Sequence, residues 1–167
     1  MNPMVTKKTV LIVDDERDLL EVLRSDVAEM GYETLTAENG QEALGMVDKH
    51  PIDIILSDIN MPKLTGIEFL AQLRKKGFQH PFIVLSGYGT REEAIQLLRL
   101  GAFDFLAKPT SFEKLKERIH AAAQHVNLVN ESIVLVKERL GLTDIAPGSR
   151  EEEAVYALAR ISALKRG

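Results

Sequence analysis

Val10-Leu11-Ile12-Val13-Asp14-Asp15 decides how the rest of the chain is read. Val10, Ile12 and Val13 are β-branched, and no polar residue interrupts the run. That suits a short strand covered on both faces, as in a parallel sheet layered between helices. The acidic pair then stands where the strand ends. Beyond it, Leu19, Leu23, Val27 and Met30 recur at helical spacing, and Gly31 follows as a stop. The alternation continues. Residues 32–37 alternate, with Thr34 and Thr36 between apolar neighbours. Asn39 or Gly40 opens a helix containing Ala43, Leu44 and Val47. Residues 52–56 are apolar except for Asp53, and a helix runs over 66–76. Residues 82–85 make another strand, 90–100 a helix closed by Gly101, 103–107 a fifth strand, and a last helix starts near Ser111.

Short strands alternating with helices imply parallel pairing through right-handed crossovers. The runs near 10, 52 and 82 are almost wholly apolar, as for central strands, while the run near 32 alternates like an edge. The pattern predicts an α/β fold, a flavodoxin-like doubly wound sheet of five parallel strands in the order 2-1-3-4-5, with a C-terminal helical extension.

In such a sheet the C-terminal ends of the strands share one edge, and open α/β sheets bind ligands outside it. Asp14 and Asp15 follow the first run, Asp58 the third after Ser57, Ser86 the fourth and Lys108 the fifth. Three carboxylates, a hydroxyl and an ammonium are thus expected to converge. Clustered carboxylates repel one another unless a cation sits among them. All-oxygen donors suit a hard ion such as Mg²⁺. Lys108 is superfluous for a metal but suits a dianion joining the site later. The set fits phosphoryl transfer to a carboxylate nucleophile. Each residue also has a plainer role open to it. Asp14 and Asp15 could cap the first helix, with Asp15 and Asp18 as a capping box, Asp58 could be a loop acid, Ser86 could start a turn with Gly87, and Lys108 could be a solvated lysine. Those plainer roles would have to coincide at four strand ends.

Val10 to Asp15, Ser57-Asp58-Ile59-Asn60-Met61-Pro62 with Gly66 behind it, Leu85-Ser86-Gly87 and Lys108-Pro109 resemble, in that order, the receiver domain of bacterial two-component response regulators, over about residues 8–125. The resemblance implies that Asp58 accepts a phosphoryl group from a sensor histidine kinase or phosphotransfer protein. It implies Mg²⁺ held by Asp15, Asp58 and the backbone carbonyl of Asn60, with Asp14 acting through a water. Lys108 would pair with the phosphate, Ser86 would donate its hydroxyl, and Gly87 would leave room. Phe105 matches the switch aromatic, here without a phenolic hydroxyl. The Lys108–Pro109 bond is expected to be cis. Tyr88 and Asn60, on opposite rims, are expected to tune hydrolysis, with the bulk of Tyr88 slowing it.

The last helix overruns a minimal receiver. Phe112, Leu115, Ile119, Ala122, Val126, Val129, Ile133, Val136 and Leu140 step by three and four, and Gly141 closes the stripe. Residues 126–167 are read as a helical extension: a continuation to about 140, a loop with Pro147-Gly148, and a second helix over 149–166. Ser149 and Glu152 form its expected capping box, and Ala154, Val155, Leu158 and Ile161 its expected stripe. Ile119, Val126 and Ile133 share a position where β-branched residues favour parallel dimers, so a homodimer through the C-terminal helices is expected. Folding back on its own domain is the other possibility.

The chain has 167 residues, 45% of them hydrophobic, with a net charge of −4 and no cysteine. This excludes disulfide and thiol chemistry, and the charge argues against a general nucleic-acid binder. The extension is too short for a winged-helix output domain and lacks a basic reading face. With no leader-like start and no apolar run of membrane length, a cytoplasmic protein is expected. The reading is a signalling protein, without an output enzyme of its own, that switches a face over residues 90–120 for a downstream protein. The alternative is the receiver portion of a larger transcriptional regulator or ATPase with a dimerising helical linker. A metal-dependent phosphatase would share the carboxylates but needs a substrate pocket.

Overall fold

The computed structural model describes residues 7–87 and 89–166. Elements follow in the order β1 (Thr9–Val13), α1 (Arg17–Glu29), β2 (Glu33–Ala37), α2 (Gly40–Lys49), β3 (Ile54–Asp58), α3 (Gly66–Lys75), β4 (Phe82–Ser86), α4 (Arg91–Arg99), β5 (Asp104–Ala107), α5 (Phe112–Leu140) and α6 (Arg150–Arg166). By internal contacts the chain divides into two compact units between Ala122 and Ala123, inside the continuous helix α5.

The first unit holds one five-stranded sheet in the order β2-β1-β3-β4-β5, every neighbour parallel. Every residue of β3 and β4 is buried, and β1 is buried from Val10 onward. Their unbroken apolar runs therefore reflect helices on both faces. At the edge, β2 buries only Ala37 and leaves Thr34 and Thr36 half-covered, which is what its alternation was for. Leu11, Ile55, Phe69, Leu70, Leu73 and Phe82 centre the core on one face of the sheet. Asp53, the one acid in the third run, accepts a hydrogen bond from the Thr9 amide at 2.8 Å. It thereby satisfies a donor at the start of β1.

Local polar chemistry fixes the helix ends. Asn39, Thr65 and Thr90 each accept from the amide three residues on, and Thr90 with Glu93 completes a capping box. The box expected of Asp15 and Asp18 does not form. Glu16 is the N-cap of α1 and makes no side-chain cap, and its own amide donates instead to Asp14 at the sheet edge. Arg74 plays a part no pattern announced. Its guanidinium donates to the carbonyls of Leu100, Phe78, His80 and Gly101 and so ties the C-terminal ends of α3 and α4 together.

In the second unit α5 runs on to Leu140 and ends at Gly141, whose φ of 63° is a left-handed C-terminal stop. Val126 is buried and Leu140 exposed, with Val129, Ile133 and Val136 between those extremes. α6 returns beside α5, since Arg166 pairs with Glu131 at 3.5 Å. Its cap is shifted from the expected box. Ser149 does accept from the Glu152 amide, but the Glu152 carboxylate takes the Gly148 amide at 2.6 Å. The expected stripe also differs. Val155, Ala159 and Ala163 are buried, whereas Ala154, Leu158 and Ile161 are exposed. α6 carries apolar residues all round, so periodicity alone could not choose its packed side.

Gly66 is where fold and sheet edge meet. A Cβ there would lie 2.4 Å from the Asp58 carbonyl oxygen and 2.7 Å from Ile59 Cα, both backbone atoms. Gly66→Ala is therefore expected to push α3 off the end of β3 and to cost about 1–3 kcal/mol, as overpacking does. Urea unfolding of the two proteins measures it; equal midpoints would show that the loop yields freely.

Candidate functional site

Four of the five strands deliver a polar terminus to the same edge. β1 ends beside Asp14 and Asp15, β3 on Asp58, β4 on Ser86, and Lys108 follows β5. The register aligns them, since Val13 lies opposite Ser57, Asp58 opposite Leu85 and Ser86 opposite Ala107. The Lys108 amide donates to the Ser86 carbonyl at 2.9 Å, which carries the ladder one residue past the strand and brings the lysine to the edge. The Lys108–Pro109 peptide is cis, as expected.

At the centre, Lys108 Nζ donates to Asp14 Oδ2 at 2.8 Å and to Asp58 Oδ2 at 3.1 Å. Asp14 is only 1% exposed and Asp58 6%. The other oxygen of each acid is tied to backbone. Asp14 Oδ1 accepts from the Glu16 amide at 2.9 Å, and Asp58 Oδ1 from the Ile59 amide at 2.7 Å and the Asn60 amide at 3.3 Å. Ser57 donates its hydroxyl to the Asp58 carbonyl at 2.9 Å. Burial pushes the Asp58 carboxyl above the usual range. The hydrogen bond and charge of Lys108 pull it back, and the Asp14 charge pushes it up again. For Lys108 burial works to lower the pKa, but the hydrogen bonds and charges of Asp14 and Asp58 outweigh it, and the ammonium is stabilised.

One carboxylate oxygen from each of Asp14, Asp15 and Asp58 lies within 4.8 Å of the other two, with Asp15 exposed at the rim. Two buried acids, one solvated acid and no nitrogen or sulfur donor fit a hard cation that keeps part of its water shell. Ser86, at the end of β4, is buried. Gly87 adds no bulk, and a Cβ there would meet only Lys108 Cβ, at 3.8 Å. Phe105 is turned outward and 41% exposed, near Gly89. Tyr88 lies outside the described residues. The side chains were all nominated by the sequence. The donors that orient Asp14 and Asp58 are backbone amides, for which side-chain patterns carry no signal.

The response regulator receiver domain model matches residues 10–120. This chain belongs to the response regulator receiver family. It is 32% identical over 137 residues to the response regulator protein PilR of Pseudomonas aeruginosa, a match covering 82% of this chain and 31% of PilR. It is 34% identical to the alkaline phosphatase synthesis transcriptional regulatory protein PhoP of Bacillus subtilis, covering 68% of this chain and 48% of PhoP. The chain thus spans half or less of these relatives' lengths. Among solved structures, the response regulator protein TrrA of Thermotoga maritima in complex with Mg(2+)-BeF superposes with a TM-score of 0.63 at 34% identity, covering 69% of this chain and 98% of TrrA. The receiver family is a signalling family. Among the described residues no helix is long and apolar enough to cross a membrane.

The raised carboxyl of Asp58 has a consequence for stability. Its folded pKa lies above the unfolded one, so the ionised form is disfavoured by folding. The cost is fully present above the folded pKa and vanishes below the unfolded value. Asp58→Asn is expected to raise the melting temperature at neutral pH in metal-free buffer. The gain should fade as the parent is acidified through the carboxylate range. A variant less stable than the parent at neutral pH would show that the Lys108 pairing outweighs burial.

Proposed function

We propose that this receiver accepts a phosphoryl group on Asp58 from a sensor histidine kinase or phosphotransfer protein, and that the modification switches a protein-binding face. The observation that carries this reading is the Lys108 ammonium shared by two buried carboxylates at 2.8 and 3.1 Å, with Asp15 at the rim. Among the described residues Asp58 Oδ2 accepts from Lys108 and from no backbone amide, so it is the oxygen to attack phosphorus. The O–P bond forms as the P–N bond of the phosphohistidine breaks. The leaving imidazole keeps the electron pair and takes a proton from solvent. Mg²⁺ held by Asp15, Asp58 and the Asn60 carbonyl, with Asp14 acting through water, would neutralise charge on the transferring group. The fit of three carboxylates to a hard cation, and the Mg(2+)-BeF bound by the related TrrA, support that assignment.

Once Asp58 carries the acyl phosphate, Lys108 exchanges a carboxylate for phosphoryl oxygens and the Ser86 hydroxyl joins it. Phe105, on the next strand, turns in response. A downstream protein then reads the 90–120 face. Residues 8–125 act as the receiver, and 126–167 as an extension that joins two copies into a homodimer, in the cytoplasm. Asn60 and Tyr88 set the hydrolysis rate. A second reading is favoured by the relatives' lengths: the receiver portion of a longer regulator, with a DNA-binding or ATPase output.

Treatment with acetyl phosphate and Mg²⁺, followed by intact mass, is expected to add one phosphoryl group to the parent and none to Asp58→Asn. Undiminished labelling of the variant would place the acceptor elsewhere.

A further inference from the structure

α6 has two apolar sides and its own chain covers one of them. Val155, Ala159 and Ala163 are at most 1% exposed. On the opposite side Leu158, Ile161 and Leu164 are 48%, 53% and 72% exposed. Ala154, Ala157, Ile161 and Leu164 follow a spacing of three, four and three residues, the seam of a two-helix contact, and Leu158 flanks it. A helix apolar all round is normally enclosed on all sides. We propose that this outer seam of α6 pairs antiparallel with the same seam of a second copy about a two-fold axis beside Leu158, level with residue 159, a proposal that rests on the homodimer reading and names its surface.

Charge and size select the partner and the direction. Glu151, Glu152 and Glu153 occupy the first turn, and Lys165 and Arg166 the last. A parallel pair would set acid against acid and base against base, at a cost comparable to what opposite charges gain. An antiparallel pair sets each acidic start beside the basic end of the other copy, with Glu151 facing Lys165. With the axis level with residue 159, Ala154 falls opposite Leu164 and Ala157 opposite Ile161, so each of those large side chains meets a small one, while Leu158 lies beside its own counterpart. The surface is thus complementary to itself, as an isologous contact requires. The β-branched stripe of α5 is a weaker seam in this structure, because Val126 is already buried within the single chain.

Sedimentation of the full chain tests this, with Ile161→Glu/Leu164→Glu, Glu151→Lys and the charge swap Glu151→Lys/Lys165→Glu beside it. Helical content by circular dichroism guards against an unfolded α6. The parent is expected to dimerise. The double glutamate should weaken dimerisation roughly tenfold or more, as loss of a central apolar contact does. Glu151→Lys should weaken it and the swap restore it. Because the chain has no cysteine, Leu158→Cys should cross-link to its counterpart on oxidation, while Val134→Cys, exposed on α5, should not. A dimer indifferent to every α6 variant overturns this surface and leaves the homodimer reading standing. A monomeric parent overturns both.

Discussion

Two carboxylates this deeply buried share a sheet edge only because an ammonium sits between them. Lys108 Nζ lies 2.8 Å from Asp14 and 3.1 Å from Asp58, each almost closed to solvent. Isolated buried charges of like sign would shift their pKa values or unfold the edge. The lysine reaches that place because β5 is hydrogen-bonded to β4 and the ladder extends to its own amide. The sheet order and the register both serve that contact. Under the proposed phosphoryl transfer the contact is also replaceable, because the anionic phosphoryl oxygens would offer Lys108 acceptors in place of the Asp58 carboxylate. On that proposal the Lys108–Asp58 pair is broken when the next state forms, so it acts as a switch rather than a staple.

Much of this was legible in the sequence because two simple physical signals coincide. Apolar runs such as Val10–Val13 mark strands covered on both faces, and a polar residue ending such a run must face the edge where open sheets bind ligands. Asp14, Asp15, Asp58, Ser86 and Lys108 were placed that way, and their order in the chain carried the family resemblance. What was not legible lay in backbone donors and in ambiguous periodicity. The amides of Glu16, Ile59 and Asn60 that orient the acids have no side-chain signature. Asp15 and Asp18 resembled a capping box, yet α1 starts without one. Arg74, an ordinary helical arginine by sequence, closes four carbonyls. In α6 the inner and outer seams are both apolar, and only packing chose Val155, Ala159 and Ala163.

Gly66 and Arg74 act at opposite ends of α3. Without a Cβ at Gly66, the helix N-terminus seats directly against the Asp58 carbonyl. At the other end, Arg74 binds carbonyls at the close of α4. The helix seated against Asp58 is therefore hydrogen-bonded to the end of α4. On the proposed function, that continuity would be a physical route from Asp58 to the 90–120 face. The second unit is built on a different principle, small residues inside and larger apolar ones outside, which suits a helix that meets one neighbour in its own chain and another beyond it.

The central claim is that Asp58, rather than Asp14 or Asp15, carries the phosphoryl group. Borohydride reduction of the labelled chain tests it most directly, because an acyl phosphate on an aspartate is converted to homoserine, which peptide mass mapping locates. Homoserine at position 58 alone is the expected result. Homoserine at position 14 or 15, or a label that resists both reduction and alkali, would contradict the assignment.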